Sequence, residues 1–364
     1  MSPRPSSVGR GWLSRHWFKL VTSLAIGAGF VWLLHAGALP IIPGRDAFAR
    51  MRWWTIPAYV VLWSVVHWLR AARWYWLLEP IHRVPLKRVV NVAFIGFLAI
   101  VVLPFRTGEM VRPILVRKKG QLSGWAATGT IGAERIIDGL VLSLFLFAGL
   151  SLSRPLDPLP SRIGNLPVPA AVVPSAAYAA LVLFAAAFVA MGVYYWRREL
   201  ARRMTHSVVG RFSPRLADWL GERVEKVAEG LRFLPEARYS APFIAVTILY
   251  WLTNALGSWL LAWGCGFDQM DYWEACVNMG VLALGILLPN APGFFGAFQI
   301  SVYAALAMYF APEDVVGPGA AFVLILYLAQ TGITIAAAAW GFVAEHESVR
   351  EALTPETKDL EARA

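Results

Sequence analysis

The sequence predicts an all-α polytopic membrane protein with six full spans and two re-entrant helical hairpins arranged as an inverted repeat. Of the 364 residues, 58% are hydrophobic and only 15% are charged, against about 25% in an ordinary soluble domain. Aromatic residues are abundant, with 17 Trp, 20 Phe and 11 Tyr. A soluble fold could not bury this much apolar surface. The composition therefore excludes disorder, a coiled coil and a secreted disulfide scaffold.

Six apolar runs are long enough to cross a hydrocarbon core of about 30 Å, which takes about 20 helical residues. They are Phe18–Gly37, Trp54–Leu69, Ile136–Leu152, Pro174–Trp196, Pro242–Gly264 and Gly317–Val343. The first run follows basic residues and ends at Ala36-Gly37-Ala38, so a signal peptide is the alternative interpretation of that run. Its length and the symmetry of the two halves favour a span.

The distribution of Lys and Arg predicts that both termini lie in the cytoplasm. Four basic residues lie at the N-terminal end of the first span, and ten lie between positions 197 and 238. The loops expected outside, 38–53 and 154–173, hold only five. Most of the basic residues responsible for the net charge of +10 therefore flank the cytoplasmic ends of the spans, and we expect no nucleic-acid partner. This pattern fits a multi-pass protein of the cell membrane, which in a bacterium is the inner membrane.

Two apolar regions, 89–120 and 273–311, are interrupted by prolines, glycines or charges. Each must cross the membrane an even number of times. An odd number in the first region would put the basic segment 197–240 outside, and an odd number in the second would give the two spans around it the same direction. Their halves are short, so we predict re-entrant hairpins. The first enters from the cytoplasm and the second from outside. Pairs of short complete spans are the alternative.

The order span, span, hairpin, span occurs twice, in 18–153 and in 174–343. Three crossings in each half make the halves run in opposite directions, as in transporters built from inverted repeats. Leu103-Pro104 followed by Gly108 corresponds to Leu288-Pro289 followed by Gly293. The remaining predicted segments are a cytoplasmic N-terminus at 1–17, an external loop at 154–173, a cytoplasmic amphipathic segment at 197–240 and a cytoplasmic tail at 344–364. The amphipathic segment is either a solvated linker or a helix that contacts anionic lipid.

The first charged motif is Arg106-Thr-Gly-Glu109-Met-Val-Arg112, whose charges fall at i, i+3 and i+6 of a helix. Glu109 can pair with either arginine, which leaves a net positive charge. The planar guanidinium group suits bidentate binding of phosphate. We therefore expect a cradle for a lipid head group. A charged cytoplasmic turn that only anchors orientation is the alternative.

The second charged motif is Glu134-Arg135-Ile-Ile-Asp138, at the start of a predicted span. A charge at the bilayer centre costs roughly 2.5–3.5 kcal/mol, so these side chains need partners. Arg106 or Arg112 on the neighbouring hairpin could supply one. Head-group binding and structural ion pairing both explain this motif.

The third motif, Leu288–Gly296, contains two prolines and two glycines that forbid a regular helix. Broken helices are tolerated at membrane depth only where protein or a wet cavity surrounds the freed backbone groups. The alternative is a turn between two spans. The predicted cavity or gate residues are Pro104, Gly108, Pro289, Asn290, Pro292 and Gly293.

No catalytic, cofactor or metal site is predicted. The six histidines show no ligand spacing, and Cys265 and Cys276 sit in apolar stretches. The sequence contains no Ser–His–Asp order, no P-loop and no dinucleotide motif. The basic and aromatic segment 70–76 is interpreted as an anchor at the membrane interface.

With these three motifs in this order, residues 15–343 resemble the transmembrane region of lysylphosphatidylglycerol synthase, the flippase-like domain family. Phe294 and Phe295 depart from the small residue expected at the third motif. The resemblance implies an integral protein that moves polar lipids between leaflets, with anionic or zwitterionic phospholipids as partners. Some members carry an aminoacyl-transferase domain after the membrane part. We expect no such domain here, so the resemblance does not imply lipid aminoacylation. A homo-oligomer or a separate lipid-modifying enzyme is a further expected partner.

The leading hypothesis is a flippase or translocator for a polar lipid or lipid-linked head group. Arg106 and Arg112 would hold the phosphate, while the carboxylates would balance the arginines and contact any amine. The residues expected at the head group are Arg106, Glu109, Arg112, Glu134, Arg135 and Asp138. A membrane enzyme acting on a lipid phosphate or diphosphate is one alternative, although the tip 292–296 has no Ser or His nucleophile. A small-anion carrier is the other.

Overall fold

The structure is a computed structural model that describes residues 21–22, 25–117, 122–166, 170–197, 226–287 and 291–346. Over these ranges the regular elements are helices, apart from one isolated bridge between Ile163 and Leu166. The predicted N-terminus 1–17 and most of the amphipathic segment and of the tail lie outside the described residues. The all-α fold class is confirmed.

The helices are numbered in chain order. They are α1 (Ala25–Ala36), α2 (Thr55–Ala72), α3 (Trp74–Leu78), α4 (Leu86–Val102), α5 (Val111–Val116), α6 (Gly124–Leu152), α7 (Val172–Trp196), α8 (Ala237–Gly264), α9 (Tyr272–Gly285), α10 (Ala297–Ala307), α11 (Pro312–Val316) and α12 (Pro318–Ala344). Short 3-10 helices cover Arg45–Phe48, Pro104–Met110 and Pro292–Phe294.

Four helical stretches are long and apolar enough to cross a membrane. They are α6, α7, α8 and the stretch Pro312–Ala344, which joins α11 and α12. Each overlaps one predicted span. The other two predicted spans correspond to α2, with 18 residues, and to α1, of which the structure describes a shorter apolar part. The protein is therefore a membrane protein with several apolar helices, and the count of six spans stays a prediction.

Helix α6 begins twelve residues before the predicted span. Ser123 precedes it in an extended conformation, and its hydroxyl accepts a hydrogen bond from the Trp125 amide at 3.2 Å. A serine in this position satisfies one of the free amides at a helix start. As a result, Glu134, Arg135 and Asp138 lie inside one continuous helix of 29 residues instead of at its end.

The first broken region follows α4. Leu103 precedes a proline and is extended, with ψ at 136°, because the proline ring disfavours the helical conformation of the residue before it. A 3-10 helix then runs from Pro104 to Met110 before α5 begins. Within it, Arg106 has a φ of 55°, which is rare for a residue with a side chain.

The second broken region, between α9 and α10, repeats this backbone pattern. Ala291 is extended and precedes Pro292, and Phe294 has a φ of 57° two residues after the proline. Gly296 follows the proline by four residues, as Gly108 follows Pro104. The conformational match therefore pairs Pro104 with Pro292, whereas the sequence pattern paired it with Pro289. Pro289 and Asn290 lie outside the described residues.

Pairs of helices build the bundle around these breaks. Helix α2 packs on α8, α4 packs on α12, and α6 lies between α7 and α9. Small residues permit the close approach, since a Cβ on Gly257 of α8 would lie 3.2 Å from the Tyr59 ring on α2. Helix α7 packs mainly against α6, and its Phe184 ring lies directly on Gly139. Residues of both broken regions, among them Arg106 and Gly293, line an interior cavity.

Gly108 provides a test of the packing at the first break. A Cβ there would overlap the backbone of Ala99 and Ile100, which belongs to α4. We therefore expect Gly108→Ala to push the 3-10 helix away from α4 and to lower the free energy of unfolding by about 1–3 kcal/mol. Thermal unfolding of the purified protein in detergent measures this change. Gly132→Ala is the matched control, because a Cβ at Gly132 meets nothing within 4 Å. A wild-type melting temperature for Gly108→Ala would contradict the packing.

Candidate functional site

The site is built around a buried ion-pair network that begins with Arg73, at the junction of α2 and α3. Its guanidinium group is fully buried and donates to both carboxylate oxygens of Asp138 on α6, each at 2.6 Å. The same group donates to Thr247 Oγ1 at 2.9 Å and to Glu134 Oε1 at 3.2 Å. One arginine thus connects the end of α2 with α6 and α8.

A second buried arginine, Arg112 on α5, binds the other side of Glu134. Its two terminal nitrogens donate to the two carboxylate oxygens at 2.9 and 3.3 Å, and both side chains are fully buried. Gly96 on α4 makes room for this arginine, since a Cβ there would overlap its side chain. The guanidinium carbon also lies 5.2 Å from the Trp74 ring centroid. Arg112 therefore supplies the partner that the sequence required for the second charged motif.

Arg135 closes the network on the cavity side of α6. Its Nη2 contacts Glu134, the preceding residue, and lies 3.3 Å from Asp138 Oδ2. The Tyr250 hydroxyl, from α8, donates to Asp138 Oδ1 at 3.0 Å. Both oxygens of Asp138 therefore already accept hydrogen bonds from protein donors.

Arg106 links the two broken regions. Its Nε donates to Glu109 Oε1 at 3.2 Å, and its Nη1 donates to the backbone carbonyl of Ile286, one residue after α9, at 3.1 Å. A residue held at positive φ costs of the order of 1–3 kcal/mol, which must be offset by surrounding contacts. These two bonds are contacts of that kind. They fix the guanidinium group between the first 3-10 helix and the end of α9.

The cluster carries more positive than negative charge. Arg70, Arg73, Arg106, Arg112 and Arg135 face three carboxylates, those of Glu109, Glu134 and Asp138, which leaves a formal charge of +2. Unpaired charges inside an apolar bundle are costly, so most of these side chains form ion pairs. The excess of guanidinium groups makes this interior attractive to an anion.

A cavity of about 300 Å³ lies beside the network. Most of its wall is aromatic or aliphatic, with contributions from α2, α4, α6, α7, α8, α9, α10 and α12. A pocket with an apolar wall and a few convergent polar groups is the usual form of a ligand site. The charged side chains that line it are Arg70, Arg106, Glu109, Arg135 and Asp138.

The residues predicted to bind the head group fall into two sets. Arg106, Glu109, Arg135 and Asp138 line the cavity, and they come together from two separate motifs. Arg112 and Glu134 are fully buried behind that wall and bind each other. The first set is therefore open to the cavity, whereas the second set lies behind its wall.

The predicted cavity or gate residues are also divided. Gly293 lines the cavity, whereas Pro292 is exposed at the start of its 3-10 helix and Gly108 is buried against α4. Pro104 begins the 3-10 helix at the first break.

Sequence reasoning missed Arg70 and Arg73. The interpretation of segment 70–76 as an interfacial anchor is wrong for Arg73 and Trp74, which are both fully buried. The Trp74 indole nitrogen donates to Thr130 Oγ1 inside the bundle at 2.9 Å. Two small residues, Ala71 and Ala72, separate the arginines and mark a closely packed helix end. The sequence signal for a buried arginine was this small-residue pair, together with the carboxylates of the second charged motif, which lie on another span and need cationic partners.

His67 is a further polar residue of the cavity wall. Its ring lies between Phe94 and Phe97, with centroid distances of 5.3 and 5.2 Å. Neither ring nitrogen has a hydrogen-bond partner among the described residues. Across those same ranges, no three His, Cys, Asp or Glu side chains are grouped as ligands for a metal ion.

Comparison with known proteins identifies one family. Residues 20–344 match the family described as the lysylphosphatidylglycerol synthase TM region. No curated protein and no solved structure matches the chain. The match covers the membrane region of that family and includes every described side chain of the network and of the cavity wall.

The network predicts a graded loss of stability. Glu134→Gln leaves Arg112 without an anion, and breaking a buried pair costs about 3–5 kcal/mol. Arg112→Gln should cost less, because Glu134 keeps Arg73 and Arg135 as partners. Thermal unfolding and the monodisperse fraction in size-exclusion chromatography measure both effects. The control is Glu236→Gln, which breaks an exposed pair with Arg238 worth about 0–1 kcal/mol. The reverse order of stability would contradict the assigned roles.

Proposed function

Because the chain belongs to the family of the lysylphosphatidylglycerol synthase TM region, we propose that it moves a polar lipid or lipid-linked head group between membrane leaflets. The observation that carries this proposal is the cavity of about 300 Å³ with three arginines in its wall, enclosed by apolar helices. An anionic head group needs such an environment to leave water, while its acyl chains need only the surrounding lipid.

The proposed topology has six spans and two re-entrant hairpins related as an inverted repeat. The two broken regions support it, since both have an extended residue before a proline, a positive φ two residues after it and a glycine four residues after it. The basic residues 197–238 support a cytoplasmic location for the segment between the halves. In such repeats, a site at the junction of the halves switches its access from one side to the other.

In this mechanism the cavity-lining charges contact the head group and the buried pair holds them in place. Arg106 and Arg135 approach the phosphate, and Glu109 and Asp138 keep their guanidinium groups oriented. Arg112 acts indirectly through Glu134, which also contacts Arg135.

The bond from Arg106 to the Ile286 carbonyl joins the two broken regions at the cavity. We assign this contact to the gate, together with the breaks at Pro104 and Pro292. Arg106 has five N–H donors, and its bonds to Glu109 and Ile286 use the Nε donor and one donor on Nη1. A phosphate that binds Nη1 and Nη2 draws the guanidinium group toward itself, so we propose that occupancy of the cavity weakens the bond to the carbonyl and favours separation of the two regions.

Cysteine labelling tests the proposed topology. Single cysteines at exposed positions Ser161 and Arg232 should react with an impermeant maleimide from opposite sides, the former in intact cells and the latter only after permeabilisation. The native Cys265 and Cys276 are buried and give little background. Thr107→Cys, in the first 3-10 helix, should stay unlabelled from outside. External labelling of this position would instead indicate two complete spans in place of the first hairpin.

Lipid movement tests the function itself. Purified protein in liposomes should accelerate bleaching of inner-leaflet lipids carrying a fluorescent acyl chain. Ala283→Phe places a ring in the cavity wall without changing any charge, so we expect transport to fall at least about tenfold, a barrier increase of about 1.4 kcal/mol. Ala179→Phe, on the exposed face of α7, is the matched control.

Equal rates for wild type and Ala283→Phe would exclude the cavity as the route. Lipid bleaching no faster than in empty liposomes would contradict the proposed function, and phosphate release from a lipid diphosphate would favour an enzyme.

A further inference from the structure

Arg70 differs from the other arginines of the cluster, because no residue that the structure describes accepts a hydrogen bond from it. It lies in the last turn of α2, and its side chain lines the cavity. Among the described residues no carboxylate, carbonyl or hydroxyl accepts a hydrogen bond from its guanidinium group. Its contacts are ring faces, with the guanidinium carbon 5.0 Å from the Phe97 centroid and 6.0 Å from that of Tyr250.

This arrangement leaves the charge of Arg70 available to a ligand. Aromatic faces stabilise a guanidinium group through its positive charge but leave its N–H groups unused. Arg73 and Arg112 are buried in carboxylate pairs, and Arg106 and Arg135 each have a carboxylate partner. Arg70 therefore exposes positive charge to the cavity that no carboxylate of the cluster neutralises by direct contact.

The carboxylates, by contrast, are occupied. Both oxygens of Asp138 accept hydrogen bonds from Arg73, Oδ1 also accepts one from Tyr250, and Arg135 lies beside Oδ2. Glu109 accepts a hydrogen bond from Arg106. An ammonium group on a ligand would have to displace a guanidinium from these oxygens, in a cluster that is already positive.

From this asymmetry we propose, building on the translocation function, that the cavity selects a net-anionic lipid phosphodiester without an amine and that Arg70 binds its phosphate oxygens. The expected role of the carboxylates as contacts for a head-group amine is accordingly revised, because they serve to hold arginines. Zwitterionic and aminoacylated head groups are disfavoured by like charge. A guanidinium group fits two phosphate oxygens at once, so Arg70 acts as a specificity-determining residue.

The experiment compares two lipids that differ in the head group alone. Liposomes containing the full-length protein carry either phosphatidylglycerol or phosphatidylethanolamine with the same fluorescent acyl chain. We expect wild type to move phosphatidylglycerol at least about tenfold faster, the equivalent of one charged hydrogen bond. Arg70→Gln should lose this difference by slowing phosphatidylglycerol alone, and Arg70→Lys should keep part of it.

Arg83→Gln is the matched control, because Arg83 is exposed on the loop after α3 and lies outside the cavity. Thermal unfolding of each variant in detergent verifies that Arg70→Gln is folded, which is expected because no hydrogen bond or ion pair within the described residues is lost. Equal wild-type rates for the two lipids, or an equal loss for both in Arg70→Gln, would overturn the selectivity.

Equilibrium binding separates this proposal from the transport function. If wild type moves no lipid at all, tighter binding of phosphatidylglycerol than of phosphatidylethanolamine to the detergent-purified protein, lost in Arg70→Gln, still supports the site. Equal binding of the two lipids overturns it. A soluble anion is tested in the same assay with glycerol 3-phosphate. Binding of glycerol 3-phosphate that needs Arg70, without any lipid preference, would reassign the site to a free anion and overturn the lipid proposal.

Discussion

Charge neutralisation around Glu134 and Asp138 is the constraint on which the rest of the interior depends. Isolated ions are expensive inside an apolar bundle, so these two carboxylates on α6 must gather cations from other helices. Arg73 arrives from the end of α2 and Arg112 from α5 after the first break. The breaks in the helices therefore do more than open the backbone, because the first one lets the chain turn back and deliver Arg112 to α6.

The same constraint divides the charged residues into fully buried ion pairs and residues that line the cavity. Fully enclosed pairs with short, two-pronged contacts, such as Arg112 with Glu134, fix the positions of α5 and α6. Two arginines at the cavity have fewer partners, since Arg106 is held by Glu109 and a backbone carbonyl and Arg70 by aromatic rings. Arg106 is the extreme case, since it keeps an unfavourable backbone conformation next to the cavity. Local strain of this kind is typical of sites where a chain segment changes contacts.

Composition and periodicity were enough to predict the helical class and the approximate position of most long helices. They also predicted the first break, because a proline after an apolar run ends a helix through local sterics. The start of α6 was predicted too late, since Ser123 caps it in a polar stretch that hydropathy does not detect. Arg73 was misassigned because an arginine at the end of an apolar run looks the same whether it points to the interface or to the interior. Only the partner on a distant helix distinguishes the two, and a single sequence does not show such pairs.

The position of α7 has a consequence for access to the cavity. On that side the cavity wall includes the ring of Phe184, carried by a helix that packs mainly on α6. Because Gly139 has no side chain, the ring of Phe184 lies directly against α6 at this position. Side-chain rotations are orders of magnitude faster than the movement of whole helices. A rotation of the Phe184 side chain alone would therefore change the cavity wall next to α7, without any movement of a helix.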